Sequence, residues 1–132
     1  LPQAFVQYGN FIGETLRAAA RSGFRCVTMG IMLGKAVKLA EGHLDTHSHK
    51  VTLNRAFLSQ LATEAGCSDV ARAVIGRIAL ARELWSALDA ADRDRLLQRV
   101  ADICRKVCTP LLPEGEIEVL LIAETGEIAY RS

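Results

Sequence analysis

The chain has 132 residues, half of them hydrophobic, which suits one domain with a real core. Sixteen Lys and Arg against fifteen Asp and Glu leave a formal charge of +1, so no global field draws the chain to nucleic acid or an acidic membrane, and 5% aromatic content leaves little for base stacking. No apolar run reaches the roughly 18 residues of a membrane span, and Leu1-Pro2-Gln3 lacks a signal-peptide pattern, so a cytoplasmic location without a membrane partner is expected.

Ala4 to Tyr8 reads as a short strand ending at Gly9. A helix is predicted from about Asn10, a good N-cap, to Ser22, with Ile12, Leu16 and Ala19 or Ala20 on one face and Gly23 beyond its end. Arg25 to Ile31 reads as a buried strand carrying Cys26, Val27, Met29 and Ile31, followed by a helix from Gly34 to Glu41 that stops at Gly42. Strand–helix–strand–helix alternation with short connections implies a parallel sheet.

His43 to Lys50 has no periodicity and reads as a loop. Helices follow at Leu53 to Ala65 and after Ser68, where Gly76 leaves either one kinked helix to Leu88 or two short ones. Asp89 can N-cap a helix from Ala90 to about Val107, with Leu96, Val100, Ile103 and Val107 as its buried stripe. Pro110 and Pro113 bound it, Glu116 to Ala123 is a strand, and Thr125-Gly126 turns into Ile128 to Tyr130. The fold expected over residues 1–132 is a single α/β domain of three α/β/α layers, with a mostly parallel sheet and a C-terminal β-hairpin.

The four cysteines, 26, 67, 104 and 108, stand in apolar or helical contexts without a C-x2-C pair. Free thiols are therefore expected rather than disulfides or a zinc site.

In an open parallel sheet, ligands bind beyond the carboxyl ends of the strands. Those ends are Gly9-Asn10-Phe11-Ile12-Gly13-Glu14 and Met32-Leu33-Gly34-Lys35. Gly9, Gly13 and Gly34 permit close backbone approach to a ligand, or they simply make tight turns. Lys35, Lys38, His43, His47, His49 and Lys50 then stand against only Glu41 and Asp45. This donor-rich basic cluster suits a polycarboxylate, or it is a solvated helix face followed by a polar loop. His43, His47 and His49 have H-x3-H-x-H spacing, a weaker metal reading with no carboxylate or Cys in register.

Asn10-Phe11-Ile12-Gly13-Glu14, Gly34-Lys35-Ala36-Val37-Lys38-Leu39-Ala40, Gly42 and Thr46-His47-Ser48 together resemble the CbiD family, the cobalt-precorrin-5B C(1)-methyltransferases. Val119-Leu120-Leu121-Ile122 before Gly126 is similar to the family's ending. The resemblance covers the C-terminal part of the family enzyme and implies a partner in the N-terminal region of the same enzyme. It also implies S-adenosyl-L-methionine as methyl donor and a cobalt-precorrin tetrapyrrole as substrate, with cobalt present only as part of that substrate. The product would be cobalt-precorrin-6A of anaerobic cobalamin biosynthesis.

Methyl transfer from a sulfonium needs alignment rather than a covalent nucleophile. The residues expected to meet the substrate's carboxylate arms are Lys35, Lys38, Thr46, Ser48 and His49, with His47 as general base. Those expected at the donor are Gly9, Asn10, Gly13, Glu14 and Gly34, although Glu14 is equally suited to a solvated first helical turn. The alternative is a non-catalytic tetrapyrrole-binding or docking module, with catalysis elsewhere.

Overall fold

Alternating apolar residues make the strands, and apolar residues at steps of three and four make the helices. The computed structural model describes residues 12–43, 53–123 and 125–131, and among these it is a mixed α/β unit. In chain order come α1 (Ile12–Arg21), β1 (Cys26–Met32), α2 (Leu33–Ala40), α3 (Arg55–Glu64), α4 (Asp69–Ile75), α5 (Leu84–Ala87), α6 (Ala90–Cys108), β2 (Glu116–Ile122) and β3 (Ile128–Arg131). The expected strand at Ala4 to Tyr8 lies outside the described residues.

The sheet has the order β1-β2-β3. β1 runs parallel to β2, with Cys26 opposite Glu116 and Met32 opposite Ile122. β2 and β3 form the expected antiparallel hairpin. Its turn is closed by Ala123 N–H donating to the Glu127 carbonyl and Gly126 N–H donating to the Ala123 carbonyl, both at 2.9 Å. The described sheet thus has one parallel and one antiparallel pair, and is not the mostly parallel sheet expected.

Among the described residues, the helices with extensive contact on the sheet are α2 and α6, which pack together, and the three-layer arrangement expected is not confirmed. Met29, Ile31, Ile117, Val119 and Leu121 are buried on one face, where α2 packs on β1, α6 packs on β2 and β3, and the two helices pack on each other. The other face carries Thr28, Glu118 and Arg131. Thr28 Oγ1 donates to Glu118 Oε1 at 3.3 Å, and Arg131 Nη1 donates to the same oxygen at 3.1 Å. The same face carries Leu120 and Ile122, half-buried, and Met32, exposed. Cys26 is exposed on that face, not buried as the apolar run around it suggested.

The buried stripe of α6 is rotated from the one expected. Leu96 and Val100 are buried, but the stripe continues through Cys104 and Cys108, with Leu97 and Ala101 beside it, and leaves Ile103 and Val107 half-buried. Small residues decide this. Cys104 Sγ donates to the Ala36 carbonyl of α2 at 3.1 Å, an approach that a larger side chain would prevent.

Between α3 and α6 the chain forms two short helices, not one kinked helix. Glu83 is the cause: its Oε2 accepts from Ala79 and Leu80 N–H at 2.7 and 2.6 Å and organises a separate turn before α5. Asp92 joins the starts of α4 and α6. Its carboxylate accepts from Ser68 N–H at 2.9 Å and from Ser68 Oγ–H at 2.6 Å. These bonds hold the Asp92 carboxyl below its usual range.

Candidate functional site

α2 positions the described site residues, and they divide between its two ends. At its start, beyond the carboxyl end of β1, lie Gly34 and Lys35, both exposed. A side chain at Gly34 would meet no atom within 4 Å, so packing does not require glycine there, and the backbone is open to an approaching ligand. Met32, the N-cap residue, offers no side-chain cap to this helix.

The other end of α2 is about 12 Å away along the axis, from eight residues at 1.5 Å each. Gly42 takes φ +102° and ends the helix. His43 N–H then donates to the Lys38 carbonyl at 3.1 Å, and Gly42 N–H donates to the Leu39 carbonyl at 2.8 Å. This glycine-terminated closure folds His43 back over the last turn. His43 Nε2 comes within 3.9 Å of Glu41 Oε2, and Lys38 Nζ lies 3.5 Å from Glu41 Oε1.

α3 begins beside this cluster. Asn54 is its N-cap, with Oδ1 accepting from Phe57 N–H at 3.0 Å while Nδ2 donates to Glu41 Oε2 at 3.5 Å. One amide side chain therefore closes the helix and ties it to the end of α2. Arg55 Nη1 donates to the Ile78 carbonyl at 3.2 Å. Between the two helix ends is an open pocket of about 540 Å³ lined by Lys38, Glu41, Leu53, Asn54, Arg55 and Ala56.

The sequence expectations map onto this unevenly. Gly13 is buried in the first turn of α1, and Glu14 beside it is exposed. Lys35 and Lys38 share α2, but Lys38 is ion-paired with Glu41 while Lys35 stands at the opposite end. Gly9, Asn10, Thr46, His47, Ser48 and His49 lie outside the described residues. No group of three or more His, Cys, Asp or Glu that could hold a metal occurs among the described residues.

Asn54, Arg55 and the acceptor role of Glu41 were missed. Asn54 carries an N-cap signature, but its second bond, to a residue thirteen positions away, has no sequence period to reveal it.

The family described as CbiD, C-terminal domain, matches residues 45–132. The chain belongs to the CbiD family. A CbiD relative from Prosthecochloris aestuarii is 36% identical over 124 residues, covering 92% of this chain and 34% of the relative. One from a Geobacillus species is 31% identical over 102 residues, covering 77% of this chain and 28% of the relative. One from Nitratidesulfovibrio vulgaris is 37% identical over 100 residues, covering 76% and 25%. Each is named cobalt-precorrin-5B C(1)-methyltransferase. The chain spans about a third or less of the length of these relatives. No solved structure matches it. Among the described residues, no helix is long and apolar enough to cross a membrane.

Proposed function

We propose that this CbiD chain takes part in S-adenosyl-L-methionine-dependent methylation of cobalt-precorrin-5B at C-1, giving cobalt-precorrin-6A in anaerobic cobalamin biosynthesis. The observation that carries the reading is its kinship, over most of its length, with relatives named cobalt-precorrin-5B C(1)-methyltransferase. The exposed Gly34-Lys35 step beyond the carboxyl end of β1 supports it, because open sheets bind ligands at that edge. Cobalt enters as part of the substrate.

The donor supplies an electrophilic methyl group on a sulfonium. The protein's work is to hold the ring and exclude misaligned encounters, a contribution of several kcal/mol in comparable bimolecular reactions. In this reading the Lys35 ammonium pairs with a carboxylate arm of the ring, with Thr46, Ser48 and His49 adding donors and His47 serving as general base. The backbone at Gly34 lies against the donor or ring.

Lys35→Ala in the intact polypeptide tests the site. Lys35 is exposed, so its loss should change folding stability by less than ~0.5 kcal/mol. Loss of a charge-assisted hydrogen bond to substrate should lower methyl transfer at subsaturating cobalt-precorrin-5B by roughly 10- to 150-fold. Near-normal transfer with a normal melting profile would remove Lys35 from the site.

A further inference from the structure

The open face of the sheet changes character along its strands. At the amino end it is polar, with Cys26 opposite Glu116 and Thr28 opposite Glu118. Arg131, opposite Leu120, reaches back to Glu118 and closes this polar half. At the carboxyl end the face is apolar. Met32 stands opposite Ile122, and Ile122 opposite Ile128, so the three make one row across all three strands. Met32 is 48% exposed and Ile128 52%, with Ile122 half-buried between them. Ile122 leans onto β1, because a Cβ at Gly30 would meet its Cδ1 at 2.8 Å. The row is therefore a continuous surface, about 10 Å from the first strand to the third, with Leu120 behind it.

Single exposed apolar side chains need no partner, but a contiguous apolar row does favour one. The polar half beside it carries the carboxylates of Glu116 and Glu118 and an arginine paired to Glu118, so lipid headgroups and nucleic-acid phosphates find no cationic surround there. A separate second copy would have to hold by contact alone, and stable interfaces between separate chains use about 20–30 residues a side. This patch rests on Met32, Leu120, Ile122 and Ile128 and stops at an ion pair. A region of the same polypeptide is different. The chain itself holds it nearby, at an effective concentration in the millimolar range for a short linker, so a small apolar contact is enough. The chain matches the C-terminal domain of the CbiD family and spans about a third or less of the length of its relatives.

We propose that the row of Met32, Ile122 and Ile128 is the docking face for the N-terminal region of the CbiD polypeptide, which lays an apolar surface of its own across the carboxyl end of the sheet. Met32 and Ile122 are the last residues of β1 and β2, so the docked region overhangs the edge where Gly34 and Lys35 open α2. Ligand pockets form preferentially at such seams. The docking stands apart from the reaction proposed above, because it follows from the sheet face and the length of the relatives.

Thiol footprinting of the intact polypeptide tests this. Met32→Cys and Ile128→Cys are made separately, with Val70→Cys as a solvent-facing reference on α4, where Val70 is 74% exposed. Each folded variant, checked by its melting curve, is treated with an alkylating reagent, and labelling is followed peptide by peptide by mass spectrometry. The thiols introduced at 32 and 128 should react at least about tenfold more slowly than the one at 70. They should also lag the native Cys26, which is exposed on the polar half of the same face. Their protection should not depend on protein concentration. In the unsubstituted polypeptide, photo-methionine, a near-isosteric diazirine analogue, should cross-link from position 32 into the N-terminal region of the same molecule. Reaction at 32 or 128 as fast as at 70 would overturn the inference, because the face would then be open to solvent. Protection that grows with concentration, with cross-links into a second copy, would assign the face to self-association instead. Cross-links confined to residues 1–132 of the same molecule would assign it to this chain's own segments, and either result would equally overturn the proposal.

Discussion

Asn54 offers a test in which cap strength and electrostatics predict different orders. Its Oδ1 closes α3 on Phe57 N–H, and its Nδ2 points to Glu41. Only an oxygen can accept from the backbone N–H, so the orientation of the amide is fixed by that bond. Asn54→Ala loses the cap and should cost about 1 kcal/mol. For a chain of 132 residues that corresponds to a melting shift of roughly 3–6 °C. Asn54→Asp keeps the cap, and on capping preference alone it should be nearly neutral. Here it places a second carboxylate where an amide now meets Glu41 at 3.5 Å. Two like charges about 4 Å apart near a surface repel by on the order of 1 kcal/mol after solvent screening. Asn54→Asp should therefore be about as destabilised as Asn54→Ala at pH 7 and low salt.

The pH dependence separates the two variants. The carboxylate pair of Asn54→Asp shares a proton more readily than the unfolded chain does, so its folded-state pKa is raised. The folded state then binds more protons, and stability recovers as pH falls from 7 towards 5. Asn54→Ala should show no such recovery. Thermal melts at both pH values, with and without 1 M salt, read this directly. Native-like stability of Asn54→Asp at pH 7 would refute the proximity of Asn54 to Glu41, and with it the shape of the pocket.

Asp92 should make the fold acid-sensitive. Its folded-state pKa is depressed by the bonds from Ser68, so the stability it contributes is complete above the unfolded carboxyl range and lost as pH falls through the folded value. Comparing acid unfolding of the protein with Asp92→Asn should show a shallower acid limb in the variant, and identical limbs would contradict the assignment. Thiol reactivity should follow burial: Cys104 and Cys108 are pushed up to about 12 by burial, Cys67 is also raised, and Cys26 is exposed. An aromatic disulfide reagent should therefore titrate one thiol quickly in the native protein and four after denaturation.

The sequence revealed most elements because their patterns are local. Ile12 and Leu16, Met29 and Ile31, and Val119 and Leu121 show their periods within a few residues. What escaped was set by contacts between distant segments. Ile103 and Val107 had the right spacing for the core, but Cys104 took the place facing Ala36 because α2 and α6 approach closely. Cys26 sits in an apolar run yet points to the face shared with Thr28 and Glu118, which alternation alone could have shown. At the site, Lys38 looked like a partner for a ligand, and nothing in its helix announced that Asn54 and His43 would gather around the same Glu41. The CbiD resemblance was legible because residues 10–48 keep an ordered set of motifs, even where the individual pieces are unspecific.

Isotope transfer tests the central claim most directly. Cobalt-precorrin-5B is incubated with the intact polypeptide and S-adenosyl-L-methionine carrying a ¹³C methyl group, and the product is examined by mass and ¹³C resonance. The account predicts one labelled methyl group on C-1 of the ring, with S-adenosylhomocysteine released in equal amount. Folded protein that binds the tetrapyrrole but transfers no label, or that labels a different ring carbon, would contradict it.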